Sequence, residues 1–193
     1  MKLAILIPTL DSRVDLFNRL TAELSRQMLE FDPGDNVCFI WYRDNGEMTT
    51  GAKRNKLIEL AIERKAEYIA FHDDDDLPGP TYIKRGLEVA NSGMDSGELW
   101  GNIYWSGKKG KPFHHFLECK EWWEDSEFYY RTINHLNFQK LDLVKDFKFP
   151  DQNFGEDGQW SMKVKEANVL KTMYPIPEVI YKYFVGEPKF EII

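Results

Sequence analysis

Three short apolar runs, LAILIP (3–8), NVCFIWY (36–42) and EYIAFH (67–72), have the length of strands and little polar alternation. Runs of that kind suit strands covered on both faces of a sheet. Between them the apolar positions recur at helical spacing. Val14, Phe17, Leu20, Leu24 and Met28 follow Asp11 and Ser12, which read as a helix cap, and Leu57, Leu60, Ala61 and Arg64 follow Gly51. Strand, helix, strand, helix, strand predicts a parallel sheet with crossover helices. TYIKRGLEVANSG then predicts a further helix closed by Gly93.

From Trp100 to Phe138 the helical period fades and aromatic residues crowd in, and SGKKGKP (106–112) predicts the turn between two antiparallel strands. A last helix is predicted from EDGQWSMKVKEA and a closing strand from EVIYKYF. No repeat, low-complexity linker or domain boundary interrupts the pattern. The expected fold is α/β: one domain over residues 1–193, with a mostly parallel, Rossmann-like central sheet flanked by helices and a small antiparallel part.

Composition narrows the partners. The chain has 193 residues, 42% of them hydrophobic and 15% aromatic, enough for a substantial core. A net charge of −7 argues against nucleic acid held mainly by phosphate contacts, though not against a nucleotide as a small ligand. Cys38 and Cys119 lie far apart without metal-site spacing, so neither a disulfide framework nor a zinc site is indicated. No segment reaches the roughly 20 apolar residues of a membrane span, and the expectation is a soluble, cytoplasmic protein.

The chemistry concentrates in the segments that follow the first three strands: PTLDSR, RDNGEMTTGAKRN and DDDDLPGP. In an open α/β sheet such segments converge beyond the carboxyl ends of the strands and line one crevice. Four consecutive aspartates, Asp73 to Asp76, raise one another's pKa values unless a cation compensates them. Carboxylate oxygens favour Mg²⁺ or Mn²⁺, with substrate phosphates completing the shell. On an extended segment Asp73 and Asp75 would point one way, Asp74 and Asp76 the other. A solvated acidic turn is the alternative for the run by itself. Lys53 and Arg54 at a helix start suit phosphate, or are simply exposed charges.

AILIPTLDSR, GAKRNKLIELA, EYIAFHDDDD and NFGEDGQWS together, in that order, resemble the motifs of nucleotide-sugar-dependent glycosyltransferases of the GT-A type, most closely family 2. The resemblance implies that Pro8, Thr9 and Asp11 border the nucleotide pocket, with Asp44 near the nucleobase and Lys53, Arg54 and Asp74 among the donor contacts. It makes Asp73 and Asp75 the DXD pair, with Asp75 on the metal, Asp73 on the ribose or a metal-bound water, and Asp76 a second choice as metal ligand. It makes Asp157 the catalytic base, supported by Glu156, with inversion at the anomeric carbon.

A UDP-linked sugar is the expected donor and a glycan or other hydroxyl-bearing molecule the expected acceptor, met by His135, Trp105 and Trp160; Trp100, Trp122 and Trp123 are further aromatics able to stack on a sugar. Residues 1–98 would form the donor half and 99–193 the acceptor and catalytic half. RDNGE departs from the family's usual Asp-Asp pair and leaves Asp44 without an acidic neighbour. The rival readings are a metal-dependent nucleotidyltransferase, disfavoured by the absence of glycine in PTLDSRVD, and a non-catalytic nucleotide- or carbohydrate-binding module, which would have no need of a base.

Overall fold

In the computed structural model, which describes residues 1–186, the three apolar runs become adjacent strands. The first half comprises β1 (Leu3–Leu10), α1 (Val14–Phe31), β2 (Val37–Asp44), α2 (Thr50–Glu63), β3 (Tyr68–Phe71), the short β4 (Leu77–Pro78) and α3 (Tyr82–Ser92). Then follow β5 (Ser96–Gly97), β6 (Leu99–Trp105), β7 (Lys108–His115), β8 (Trp123–Glu124), β9 (Tyr129–Arg131), β10 (Gln139–Lys140), α4 (Leu141–Val144), α5 (Glu156–Ala167), β11 (Met173–Tyr174) and β12 (Val179–Val185). No helix among the described residues is long and apolar enough to cross a membrane.

The strands form two six-stranded sheets, β11-β5-β10-β3-β1-β2 and β4-β12-β6-β7-β9-β8. In the first, β1 lies between β2 and β3 and runs parallel to both, with Ile5 opposite Phe39 and Ala70. The antiparallel part enters at β10, which opposes both β3 and β5. Successive side chains of β1 point to opposite faces. Leu3, Ile5 and Ile7 pack with Phe17, Leu20, Leu24 and Tyr82 of α1 and α3, while Ala4 and Leu6 pack with Leu57, Ile58 and Ala61 of α2 and with Trp160 of α5. Burying each large aliphatic side chain contributes roughly 1.5–3 kcal/mol, which makes β1 the strand about which both cores form.

Two expectations change. β2 is the outermost strand of its sheet and is only partly covered, with Trp41 49% exposed, because cover by the flanking helices runs out at the edge. Asp11 and Ser12 do not cap α1. The chain first tightens into one 3₁₀ turn at Asp11–Arg13, so the cap position falls on Arg13 and no side chain bonds to the helix start. At α2 the cap is Thr49, whose hydroxyl accepts the Ala52 N–H at 3.1 Å.

The hairpin predicted at SGKKGKP joins β6 to β7, with Ser106 and Gly107 both at positive φ (47° and 82°). That pair of conformations is the one a two-residue hairpin turn requires. β12 then joins the second sheet, parallel to β6 and antiparallel to β4, and carries its own far end back over the loops that follow β1 and β3.

Gly51 sets the distance between α2 and the segment leading to α5. Its N–H donates to the Gln152 carbonyl at 3.1 Å, and a Cβ at this position would lie 1.9 Å from the Pro150 carbonyl oxygen. Since the obstacle is backbone, Gly51→Ala should cost about 1–3 kcal/mol through overpacking. Urea unfolding of the variant against wild type measures this, and an unchanged midpoint would show that the two segments can separate without loss.

Candidate functional site

Because β1, β2 and β3 run parallel, the segments after them meet at one edge and form a cleft of about 550 Å³. Pro8, Thr9, Leu10 and Arg13 come from the first segment, Gly46, Met48, Thr50, Lys53 and Arg54 from the second, and Asp73, Asp74 and Asp75 from the third. The opposite wall is Asn153 to Asp157 at the start of α5, together with Tyr183 and Phe184 of β12.

The aspartates do not alternate as on a strand. They form a turn closed by the Asp76 N–H on the Asp73 carbonyl at 3.2 Å, and the carboxylates diverge. Asp73 accepts from Arg54 Nη2 at 2.9 Å and has its other oxygen 3.7 Å from His135 Nε2. Burial alone would raise the Asp73 carboxyl, but the Arg54 guanidinium and then His135 hold it well below the usual range. Asp74 accepts the Thr9 hydroxyl at 2.7 Å and Arg13 Nη1 at 2.8 Å. The same Nη1 reaches Asp75 at 3.1 Å, yet burial and the neighbouring Asp73 still push Asp75 upward.

Asp76 faces away from the cleft. It is fully buried and accepts the Tyr181 hydroxyl at 2.7 Å and the Phe184 N–H at 2.8 Å. Burial, Asp73 and Asp75 hold it well above the usual carboxylate range. Its expected role as an alternative metal ligand is therefore not built: the turn sends it into the protein, where it fastens β12.

Arg54 joins the two walls. It is buried, and while Nη2 serves Asp73, Nη1 lies 2.5 Å from Glu156 Oε1. The rings of Phe71 and Phe149 lie 5.8 and 5.6 Å from its guanidinium carbon. Burial pushes Glu156 up despite this partner. Asp157, the next residue, stays about a third exposed (32%) at the cleft wall.

Several other expected residues are placed elsewhere. Asp44 pairs with Lys53 and accepts the Gly46 and Met48 N–H groups at 3.1 and 2.9 Å, so it shapes the loop after β2 and does not line the cleft. Lys53 does line it, but its ammonium also donates to the Thr9 carbonyl at 3.0 Å, tying β1 to β2. Asp11 is exposed in the 3₁₀ turn, outside the lining. His135 is buried beneath the cleft, between Asp73 and, at 3.9 Å, Asp157. Trp105 ends β6 at the hairpin, away from the cleft. Trp160 is fully buried, donates to the Phe147 carbonyl at 3.0 Å and stacks on Phe149, so it cannot meet an acceptor.

Arg13, Phe154, Tyr183 and Phe184 are among the lining residues that sequence reasoning did not single out. Arg13 was detectable as the only cation in PTLDSR, next to an acidic cluster. Nothing in EVIYKYF announces that it returns to the cleft.

No three His, Cys, Asp or Glu side chains converge into a metal site by themselves among the described residues. Asp73 and Asp75 do both reach the cleft, and two hard carboxylates are what an ion needs when substrate phosphates complete its shell. The donor set fits Mg²⁺ or Mn²⁺ on those terms.

No protein-family model matches the chain, and no curated protein matches it by sequence. Solved structures do match. Staphylococcus aureus TarS (residues 1–349) in complex with UDP-GlcNAc superposes with a TM-score of 0.64 at 16% identity, over 98% of this chain and 60% of that one. Its complex with UDP gives 0.65 at 15% identity, over 96% and 61%. A197 from STIV gives 0.55 at 15% identity, over 97% and 87%. The chain has the GT-A fold. It spans about 60% of those TarS chains, and at these identities the likeness is one of fold.

Arg54→Met should cost about 3–5 kcal/mol, because it leaves the buried Glu156 and the partly exposed Asp73 without the cation they share. Arg54→Lys should recover only part, since one ammonium cannot reproduce the two-pronged contact. Thermal and urea unfolding of both variants check the order; a lysine variant as stable as wild type would show that charge alone suffices.

Proposed function

We propose that the chain is a nucleotide-sugar-dependent glycosyltransferase of the family 2 type. The observation that carries this reading is the arrangement of one GT-A cleft: Asp73 and Asp75 on one wall, Asp157 on the facing one, with Arg54 holding the two walls together. The TarS complexes with UDP and UDP-GlcNAc support a UDP-linked donor. Residues 1–98 would bind the donor, and residues 99–193 would supply the base and the acceptor wall.

Asp75 and Asp73 are the residues that would hold a divalent cation. When bound, it offsets the charge that develops on the departing phosphate oxygen. Arg13, already bonded to Asp74 and Asp75 and partly exposed, offsets part of the charge of the acidic turn and lines the cleft beside it. Pro8, Thr9 and Leu10 border the same region. Asp157 takes the proton from the acceptor hydroxyl as it attacks the anomeric carbon from the side opposite the leaving group, which inverts that centre. Glu156, engaged by Arg54, fixes the start of α5 and so the position of Asp157.

Asp75→Asn should weaken Mn²⁺-dependent binding of a UDP-sugar about tenfold or more. Asp157→Asn should leave donor binding nearly intact while lowering transfer by about 10²–10⁴-fold. Calorimetry with a panel of UDP-sugars, with Mn²⁺ and with chelator, combined with release of nucleoside diphosphate, tests both. Equal loss of donor binding in the two variants would overturn the division of roles, and no binding or release with any donor would overturn the transferase reading.

A further inference from the structure

A tryptophan that is nearly half exposed yet firmly held stands beside Gly158, the residue that follows the proposed base. Trp122 keeps 45% of its surface in solvent. Its Nε1–H donates to the Thr132 hydroxyl at 3.1 Å, and that hydroxyl is within 2.8 Å of Ser161 on α5. The guanidinium carbon of Arg131 lies 4.9 Å from the ring centre. At the ring edge, a Cβ built on Gly158 would lie 3.8 Å from the outermost ring carbon of Trp122, and Gly158 directly follows Asp157. With glycine there, no side chain from that position stands between the indole and the start of α5.

Exposed apolar surface forgoes about 25 cal/mol per Å² of burial, and here the indole is locked in place with its N–H already satisfied. What remains for a ligand is the part of the ring surface that Arg131 leaves uncovered. We propose that Trp122 is the acceptor platform, stacking on the C–H face of a pyranose ring, and that the acceptor is therefore a carbohydrate. This deepens the transferase reading and rests on it. The platform meets α5 at Gly158, the residue after Asp157, so an acceptor seated there would lie next to the cleft wall that carries the base. Trp123 does not serve in the same way, because its ring is stacked on Tyr130 at 3.9 Å.

Saturation-transfer NMR with the methyl glycosides of glucose, galactose and N-acetylglucosamine tests the platform on wild type, Trp122→Ala, Trp122→Phe and Trp105→Ala. Wild type should transfer saturation to the pyranose C–H protons of at least one glycoside. Trp122→Ala should weaken that binding about tenfold, whereas Trp122→Phe should retain most of it and Trp105→Ala all of it. Glycoside binding that is equal in Trp122→Ala and wild type, or absent in wild type, would overturn the proposal. Calorimetry with UDP-sugars on the same proteins separates the two ideas. Donor binding without an effect of Trp122 removes only the platform, and Trp122-dependent glycoside binding without donor binding removes only the transferase reading.

Discussion

The buried Arg54 guanidinium is the contact on which the cleft depends. It bridges Asp73, at the carboxyl end of β3, and Glu156, at the start of α5. These residues lie far apart in the chain, on either side of the first strands of the second sheet. Taking a cation out of water is expensive, and mutual attraction in the interior repays it only when geometry and further hydrogen bonds are good. Two carboxylates and two aromatic faces offset most of that cost here. Because one rigid guanidinium pairs with both carboxylates, the facing walls are held at one separation, and Asp157 is held with them.

The acidic turn works by the same principle. Four adjacent carboxylates persist because each is given a different environment: Arg54 for Asp73, Thr9 and Arg13 for Asp74, Arg13 and the open cleft for Asp75, and Tyr181 with the Phe184 N–H for Asp76. Asp75 is the one left poorly compensated, and it is also the one most open to solvent among those described as ion-paired, at 37%. Under-compensation and exposure coincide where a cationic partner from outside can be met. Asp76, in contrast, has become part of the framework and carries the chain of β12 to the cleft.

Much of the central sheet was legible in the residues. LAILIP and YIAF are apolar throughout because both faces are covered, α1 and α2 follow from helical spacing, and α3 ends at the expected glycine. NVCFIWY was read as equally buried, and it is not, since composition does not reveal that a strand lies at an edge. Thr9, Arg54, Asp73, Asp75, Glu156 and Asp157 could each be picked out as residues of the right chemistry beside strand ends or a helix start, and the fold gathers them in one cleft.

The direction of each side chain was a different matter. An acidic run has a composition but no facing until a turn is formed, so the alternation expected for Asp73 to Asp76 gave way to four divergent partners. Trp160 and Trp122 look alike in sequence, yet one is sealed between α5 and the sheet and the other stands in solvent beside Gly158. The sequence by itself determined which elements form and which chemical groups are on hand, because periodicity and residue type are local properties. Only the tertiary structure decided which carboxylates face the cleft, which aromatics are buried and which exposed, and that β12 reaches the site, because those depend on contacts between segments about a hundred residues apart, such as the 105 between Asp76 and Tyr181.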